Sequence, residues 1–190
     1  SPVVCASPAG KYIQEGCVGT PVPGTTLKVI DTEENDLPVG ERGELCIKGP
    51  QVMRGYWGRP EATEESFTKD GWFKTGDVAV IQEDGYIRIV DRVKDLVLVS
   101  GFNVYPNEIE DVVTNHPQVE YSAVVGIPDE KTGEAVKLYV VANDEGLTKE
   151  ALVAHCRENL TAYKIPRQIE FRSELPMSAV GKILRSALRD

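Results

Sequence analysis

The chain has 190 residues, of which 41% are hydrophobic and 27% charged, and its formal net charge is −9. This composition is ordinary for a globular protein of one large or two small domains. The acidic balance argues against non-specific nucleic-acid binding. No apolar run approaches the ~20 residues needed to span a bilayer, and no secretion signal is visible at the start. The four cysteines form no C-x-x-C pair, so neither a metal site nor a disulfide framework is expected.

The first half of the chain is typical of a β-rich domain with short strands and turns. Strands are expected at residues 26–30 and 44–48, where Leu45 and Ile47 alternate with polar neighbours and predict a half-buried strand. A short helix is expected at 61–67, after Pro60. Residues 75–77 are expected to form a turn. Asp84-Gly85 before a β-branched run predicts a hairpin.

The second half alternates helices and strands. Pro106 is expected to open a helix to about residue 116, and Thr148 to cap a helix with Leu152, Cys156 and Leu160 on one face. Strands are expected at 119–127, 135–142 and 168–172. A terminal helix is expected at 182–189, with Ile183, Leu184, Ala187 and Leu188 facing inward. The fold class is therefore α+β, with a domain boundary at 91–94 that divides the chain into 1–91 and 92–190.

Asp77 is the first candidate functional residue. A carboxylate on a glycine-containing turn can accept hydrogen bonds from the two hydroxyls of a ribose, as acidic residues do in other nucleotide sites. The structural alternative is that Asp77 caps the turn. From composition alone, the structural alternative is favoured.

Four ordered stretches resemble motifs of the adenylate-forming (AMP-binding) superfamily. Residues 70–94, DGWFKTGDVAVIQEDGYIRIVDRVK, are similar to the fatty acyl-CoA synthetase signature. The other three stretches are 43–57 (GELCIKGP to GYW), 100–110 (SGFNVYPNEIE) and 175–185 (LP to GKILR). Because four blocks agree in order, the match is far more specific than one motif. The resemblance is strongest to the C-terminal portion of bacterial long-chain fatty acid–CoA ligases.

The resemblance implies a β-rich part of the large AMP-binding domain followed by a small mobile α/β lid domain. It implies an acid–thiol ligase that joins a fatty acid to AMP from Mg-ATP, releases pyrophosphate, and then displaces AMP with coenzyme A. The family's Gly/Thr/Ser-rich phosphate loop and its aromatic–Gly–x–Thr–Glu block are missing from this sequence. A fragment that lacks both is expected to be inactive alone.

The resemblance also assigns roles to individual residues. Lys182 would be the catalytic lysine of adenylation, with a solvated lysine at the first turn of a helix as the structural alternative. Asp77 and Arg92 would bind the nucleotide, although Arg92 could instead pair with Asp91 at the surface. Lys94 would be the hinge. Gly101 would lie beside the coenzyme A tunnel, with an ordinary turn glycine as the alternative.

The implied ligands are ATP or AMP, coenzyme A, and Mg²⁺ whose ligands lie mostly outside this chain. Fatty acid, ATP and coenzyme A are the expected partners, with no nucleic acid. The expected location is cytoplasmic, with peripheral contact at the inner membrane left open. Two alternatives stay open: an aryl or medium-chain acid–CoA ligase, and a non-catalytic interaction module. The locally basic segment 157–190, with seven basic and four acidic residues, suits approach to a polyphosphate but is also typical of a solvated face.

Overall fold

The computed structural model describes residues 2–10, 14–143 and 146–189. The chain divides into two compact units, Ser1–Lys94 and Asp95–Asp190. The first unit contains strands β1 (Cys5–Ala6), β2 (Thr20–Pro21), β3 (Thr26–Ile30), β4 (Arg42–Lys48), β5 (Phe73–Ile81) and β6 (Ile87–Arg92), and helix α1 (Pro60–Glu65). Strands and helices therefore both occur, and the expected α+β class is confirmed.

The main sheet of the first unit is antiparallel, in the order β3-β4-β5-β6. Its buried core consists of four apolar side chains, from Val29, Leu45, Ala79 and Ile87. The strand β4 departs from expectation, because Cys46, on the opposite face from Leu45, is also fully buried. Cys46 lies in register between Lys28 and Lys74, whose side chains are only 15% and 25% exposed. The stems of these lysines cover that face.

The hairpin that joins β5 to β6 is the one expected at Asp84-Gly85. The Gln82 N–H donates to Tyr86 O at 2.9 Å, and the Gly85 N–H donates to Gln82 O at 2.9 Å. Gly85 has φ +82°, a conformation that glycine adopts without a steric cost. The carboxylate of Asp84 accepts from the Tyr86 N–H at 3.1 Å. The sequence prediction at this turn is confirmed.

The second unit is a sheet with two longer helices. It contains β7 (Val97–Val99), β8 (Phe102–Val104), α2 (Pro106–Thr114), β9 (Val119–Asp129), β10 (Gly133–Ala142), α3 (Lys149–Asn159) and β11 (Gln168–Phe171). The strand β10 is central, because it pairs with β9 and β7 in antiparallel and with β11 in parallel. The predicted cap of α3 is confirmed, since Thr148 Oγ1 accepts from the Ala151 N–H at 3.2 Å.

Alternation along β9 and β10 gives the sheet of the second unit two apolar faces. One face carries Val124 and Leu138 and packs with α2 and α3 residues such as Ile109 and Leu152. The other face carries Ala123, Val125, Tyr139 and Val141, and it is covered by Leu175 and Leu188 from the C-terminal segment. Burial on this second face therefore holds both ends of the segment that contains Lys182.

The prediction of a terminal helix at 182–189 is wrong. Only Arg185–Ala187 forms a single 3-10 turn. Ile183 instead makes a β-bridge with Met177, and Leu184, whose side chain was expected to face inward, is 40% exposed. The apolar spacing is compatible with a helix, but in the structure Leu188 is buried and Ile183 packs against the same apolar cluster without helical geometry.

Candidate functional site

Asp77 lies on β5 in a bulge rather than in a turn, so the expected turn at 75–77 is corrected. The register of β5 against β4 shifts between Glu44 and Cys46, which leaves extra β5 residues opposite Leu45. The bulge is fixed by three hydrogen bonds: Thr75 Oγ1 to Leu45 O (2.8 Å), the Gly76 N–H to Glu44 Oε1 (3.0 Å), and the Asp77 N–H to Thr75 Oγ1 (3.1 Å). Bulges commonly re-aim a side chain near a functional site.

The structure brings Asp77 together with Arg92. The two residues are cross-strand partners on β5 and β6, and Arg92 Nε lies 3.3 Å from Asp77 Oδ1. Their side chains are 32% and 62% exposed for Asp77 and Arg92 respectively. Asp77 Oδ2 has no protein partner among the described residues, and an ionised carboxylate oxygen accepts more than one hydrogen bond. A cis-diol therefore fits this carboxylate, with a positive charge beside it.

Arg92 contacts Asp91 through its backbone and not through its guanidinium, unlike the ion pair that the alternative assumed. The Arg92 backbone N–H donates to Asp91 Oδ1 at 2.8 Å, and Asp91 is only 2% exposed. The guanidinium is instead directed to Asp77. Asp91 thus fixes the backbone, while the exposed Arg92 head remains accessible to a ligand.

Lys94 is the last residue of the first unit, and Asp95 is the first residue of the second. Lys94 is exposed and lies within the 3-10 turn Val93–Asp95, which follows β6 directly. Short 3-10 turns are common as connectors, and this one lies at the boundary between the two units.

Gly101 lies at the tip of the β7–β8 hairpin. Ser100 and Gly101 have φ of +52° and +84°, so both central residues of the turn are in the left-handed region. A Cβ at Gly101 would meet no atom within 4 Å, and the tip is therefore open. Next to it, Phe102 is 57% exposed and stacks on Tyr163 with ring centroids 5.0 Å apart. Backbone and aromatic surface are both available here for a ligand.

Lys182 lies in a tight hairpin whose turn is closed by Gly181. The Ser178 N–H donates to Lys182 O at 2.7 Å, and the Gly181 N–H donates to Ser178 O at 2.9 Å. Gly181 has φ +76°, and Ser178 Oγ accepts from the Lys182 N–H at 3.1 Å. The Lys182 side chain is exposed and has no ion-pair partner among the described residues. The turn thus presents one ammonium group, without an ion-pair partner among the described residues, on a hydrogen-bonded backbone.

Four charged residues that sequence reasoning did not single out form two ion pairs that hold the segment after Lys182. Arg185 pairs with Glu110 on α2, through Nη2 to Oε2 at 2.5 Å and Nε to Oε1 at 2.9 Å. Arg189 pairs with Asp95 at 2.7 Å. Arg185 belongs to the GKILR block, but its partners lie far away in sequence, so no spacing pattern could have revealed them.

The site residues divide between the two units: Asp77, Arg92 and Lys94 lie in the first, and Gly101 and Lys182 lie in the second. In the described ranges, no group of three or more His, Cys, Asp or Glu side chains is placed to hold a metal ion. No helix among these residues has the length and apolar character to cross a membrane. Burial raises the pKa of the Cys46 thiol to about 12, which makes it a packing residue and not a nucleophile.

Comparison with known proteins gives the same family throughout the chain. The family model of the AMP-binding enzyme matches residues 1–57. The family model of the AMP-binding enzyme C-terminal domain matches residues 108–182. A long-chain-fatty-acid–CoA ligase of Salmonella typhimurium is 58% identical over 190 residues, which are 100% of this chain and 34% of that protein. A feruloyl-CoA synthase of an Amycolatopsis species is 43% identical over 175 residues, which cover 92% of this chain and 35% of that protein. The crystal structure of ATP-bound MatB from Rhodopseudomonas palustris matches with a TM-score of 0.89 and 38% identity, covering 97% of this chain and 37% of that chain.

The chain therefore belongs to the family of AMP-binding, adenylate-forming enzymes. Within that family, its whole length is similar to long-chain-fatty-acid–CoA ligases from several bacteria, at 53% to 58% identity. The resemblance that the four sequence blocks indicated is confirmed. The chain spans about a third of the length of the curated relatives it matches.

Proposed function

We propose that this chain is the C-terminal part of an ATP-dependent long-chain fatty acid–CoA ligase. The whole enzyme would convert a fatty acid and ATP to an acyl adenylate and pyrophosphate, and then transfer the acyl group to coenzyme A with release of AMP. The observation that carries the proposal is the 58% identity to such a ligase along all 190 residues. The proposed activity belongs to the enzyme that contains this chain, because the phosphate loop of the family is not in this sequence.

Lys182 is the proposed source of positive charge for adenylation. The first step brings a carboxylate up to a negatively charged phosphate, and fixed positive charge at that point stabilises the transition state. The proposal is supported by the exposed, unpaired ammonium and by the hydrogen bonds that fix the turn on both sides of Gly181. A fixed backbone limits the reorganisation that the lysine would otherwise undergo during the reaction.

Asp77 and Arg92 are the proposed ribose and nucleotide contacts. The Asp77 carboxylate would accept hydrogen bonds from the ribose hydroxyls, and Arg92 would bind a hydroxyl or a phosphate. Support comes from the bulge, which fixes the Asp77 backbone independently of its side chain. It also comes from the exposure of both heads.

Lys94 is the proposed hinge, and Gly101 the proposed contact with the pantetheine of coenzyme A. Backbone rotation at Lys94 would present Lys182 in the first step and the Ser100-Gly101-Phe102 tip in the second. The position of Lys94 at the boundary between the two units supports a hinge. The open space above Gly101 supports close approach of a ligand to the backbone.

Mg²⁺ would reach this site with the phosphates of ATP, held by residues outside this chain. We place the enzyme in the cytoplasm, which agrees with four free cysteines. Peripheral contact with the inner membrane, where long-chain acids partition, belongs to the same proposal.

An aryl acid is the second candidate substrate, favoured by the 43% identity to a feruloyl-CoA synthase. Both candidate functions assign the same roles to the residues proposed above. The test is pyrophosphate release by the full-length enzyme. This enzyme is the present chain joined to its own upstream portion, or to the upstream portion of the Salmonella relative. Release with long-chain acids and not with ferulate supports the first candidate, and the reverse supports the second. No release with any acid from a folded protein contradicts both.

A further inference from the structure

The Lys182 hairpin is attached to the rest of the second unit at both ends. Leu175 and Leu188, which flank it, are 5% and 2% exposed on the second face of the sheet. The two arms are joined by a hydrogen bond from the Leu184 N–H to Pro176 O at 2.8 Å. Apolar burial holds this segment on the sheet, but it is non-directional and does not set the orientation of the turn.

Arg185 supplies the directional contact. Its guanidinium bonds Glu110 through two nitrogens and also donates to Asn107 Oδ1. Glu110 Oε1 accepts in addition from the Val124 N–H at 2.7 Å, so the acceptor is itself fixed by β9. The side chains of Arg185 and Glu110 are only 18% and 16% exposed. A bidentate pair of this kind fixes both position and plane.

Asp95 extends this network to the unit boundary. Its carboxylate contacts Arg189 Nη2 at 2.7 Å and Arg185 Nη1 at 3.6 Å. Asp95 is 8% exposed and directly follows Lys94. The first residue of the second unit is therefore tied by side chains to the residues that follow Lys182.

We propose that Arg185 and Asp95 are positioning residues for Lys182. They link the residue next to the boundary directly to the Lys182 hairpin, so that backbone rotation at Lys94 carries the ammonium with it as one body. This inference rests on the proposed ligase function and on the role of Lys182 within it. Residues in one network of hydrogen bonds and ion pairs are energetically coupled, so the network is expected to act as a unit.

The first test is Arg185→Lys in the full-length enzyme. Lysine keeps the charge but cannot form the two parallel bonds to Glu110. We expect kcat for adenylation to fall about 10- to 100-fold, since displacement by ~1 Å costs up to about 10²-fold. The KM for ATP and thioester formation from preformed acyl adenylate should stay within about 2-fold. Asp95→Asn should behave in the same way. The matched control is Lys28→Arg, at an ion pair with Asp36 in the first unit. This variant should change neither step.

A double-mutant cycle separates positioning from general destabilisation. If Arg185 acts through Lys182, Arg185→Lys should have less than about a 2-fold effect on adenylation in a Lys182→Ala background. Full additivity, or equal loss of both half-reactions, overturns the proposal.

Amide hydrogen exchange gives a readout that needs no activity. Exchange in residues 178–184 should increase in Arg185→Lys and not in Lys28→Arg. Unchanged exchange in Arg185→Lys also overturns the positioning role. If wild type releases no pyrophosphate with any acid, the ligase assignment itself is overturned, whatever the exchange result.

Discussion

Replacement of Asp77 by alanine separates binding from folding at the proposed ribose site. The bulge does not use the Asp77 carboxylate, because its hydrogen bonds run through the backbone, the Thr75 hydroxyl and the Glu44 carboxylate. The carboxylate contacts Arg92 in a partly exposed pair, and such pairs are worth about 0–1 kcal/mol. The melting temperature should therefore change little.

Asp77→Ala should instead reduce the efficiency with which the enzyme uses ATP. A hydrogen bond to a charged group contributes about 1.5–3 kcal/mol. Each 1.36 kcal/mol corresponds to a factor of ten in rate, so Asp77→Ala should lower kcat/KM for ATP by about 10- to 150-fold. The assay is pyrophosphate release by the full-length enzyme at varied ATP. Asp84→Ala is the control, since Asp84 is a carboxylate at the tip of the same hairpin with a local turn contact.

The ribose itself supplies the sharper comparison. Wild type should use 2′-deoxy-ATP at least ~5-fold less efficiently than ATP, because one hydrogen bond to a carboxylate is lost. Asp77→Ala should discriminate between the two nucleotides by less than about 2-fold. Equal discrimination by wild type and variant would show that Asp77 does not contact the ribose.

Two further perturbations address the hinge and the buried thiol. Lys94→Pro, which fixes φ, should slow thioester formation and spare adenylation. The control is Glu83→Pro, at the exposed second residue of the turn from Gln82 to Gly85, where proline is tolerated; it should spare both steps. An unaffected second step in Lys94→Pro refutes the hinge. Burial raises the pKa of Cys46 from 9.0 to about 12, so the stability contributed by the neutral thiol is present below pH 9 and lost as pH rises towards 12. In urea titrations at several pH values from 9 to about 12, the free energy of unfolding should therefore fall more steeply with pH in wild type than in Cys46→Ala. The same pH dependence in both proteins would contradict the burial of the Cys46 thiol.

Local signals in the sequence predicted local structure well. Asp84-Gly85 formed the expected turn, Thr148 capped α3, and Pro106 opened α2. Each of these depends on the dihedral preference or side-chain bond of one or two residues, which the sequence states directly.

The errors arose where distant contacts decide the conformation. The apolar spacing at 183–188 is compatible with a helix, but the glycine turn at Gly181 and the Ile183–Met177 bridge direct the chain into a hairpin. The extra residues around Thr75 lie in a strand because β4 offers Leu45 O and Glu44 as acceptors. Pairing across long separations is not visible in a local pattern.

The site residues were nominated by resemblance rather than by geometry. Asp77 alone resembled a turn cap, and Lys182 a solvated lysine. The structure adds the Arg92 contact to the first and the absence of any ion-pair partner among the described residues to the second. The Arg185–Glu110 pair joins residues on either side of β9 and β10 and could only be found in three dimensions.

The most direct measurement compares the two half-reactions of the full-length enzyme in wild type and Lys182→Ala. Pyrophosphate release from long-chain acid and Mg-ATP reports adenylation, and acyl-CoA formation from preformed acyl adenylate reports the second step. We expect Lys182→Ala to lower adenylation by about 10²-fold or more, the scale of losing one preorganised electrostatic contact, while the second step stays within about 2-fold. Equal loss of both steps, or unchanged adenylation, would contradict the assignment of Lys182 as the adenylation lysine.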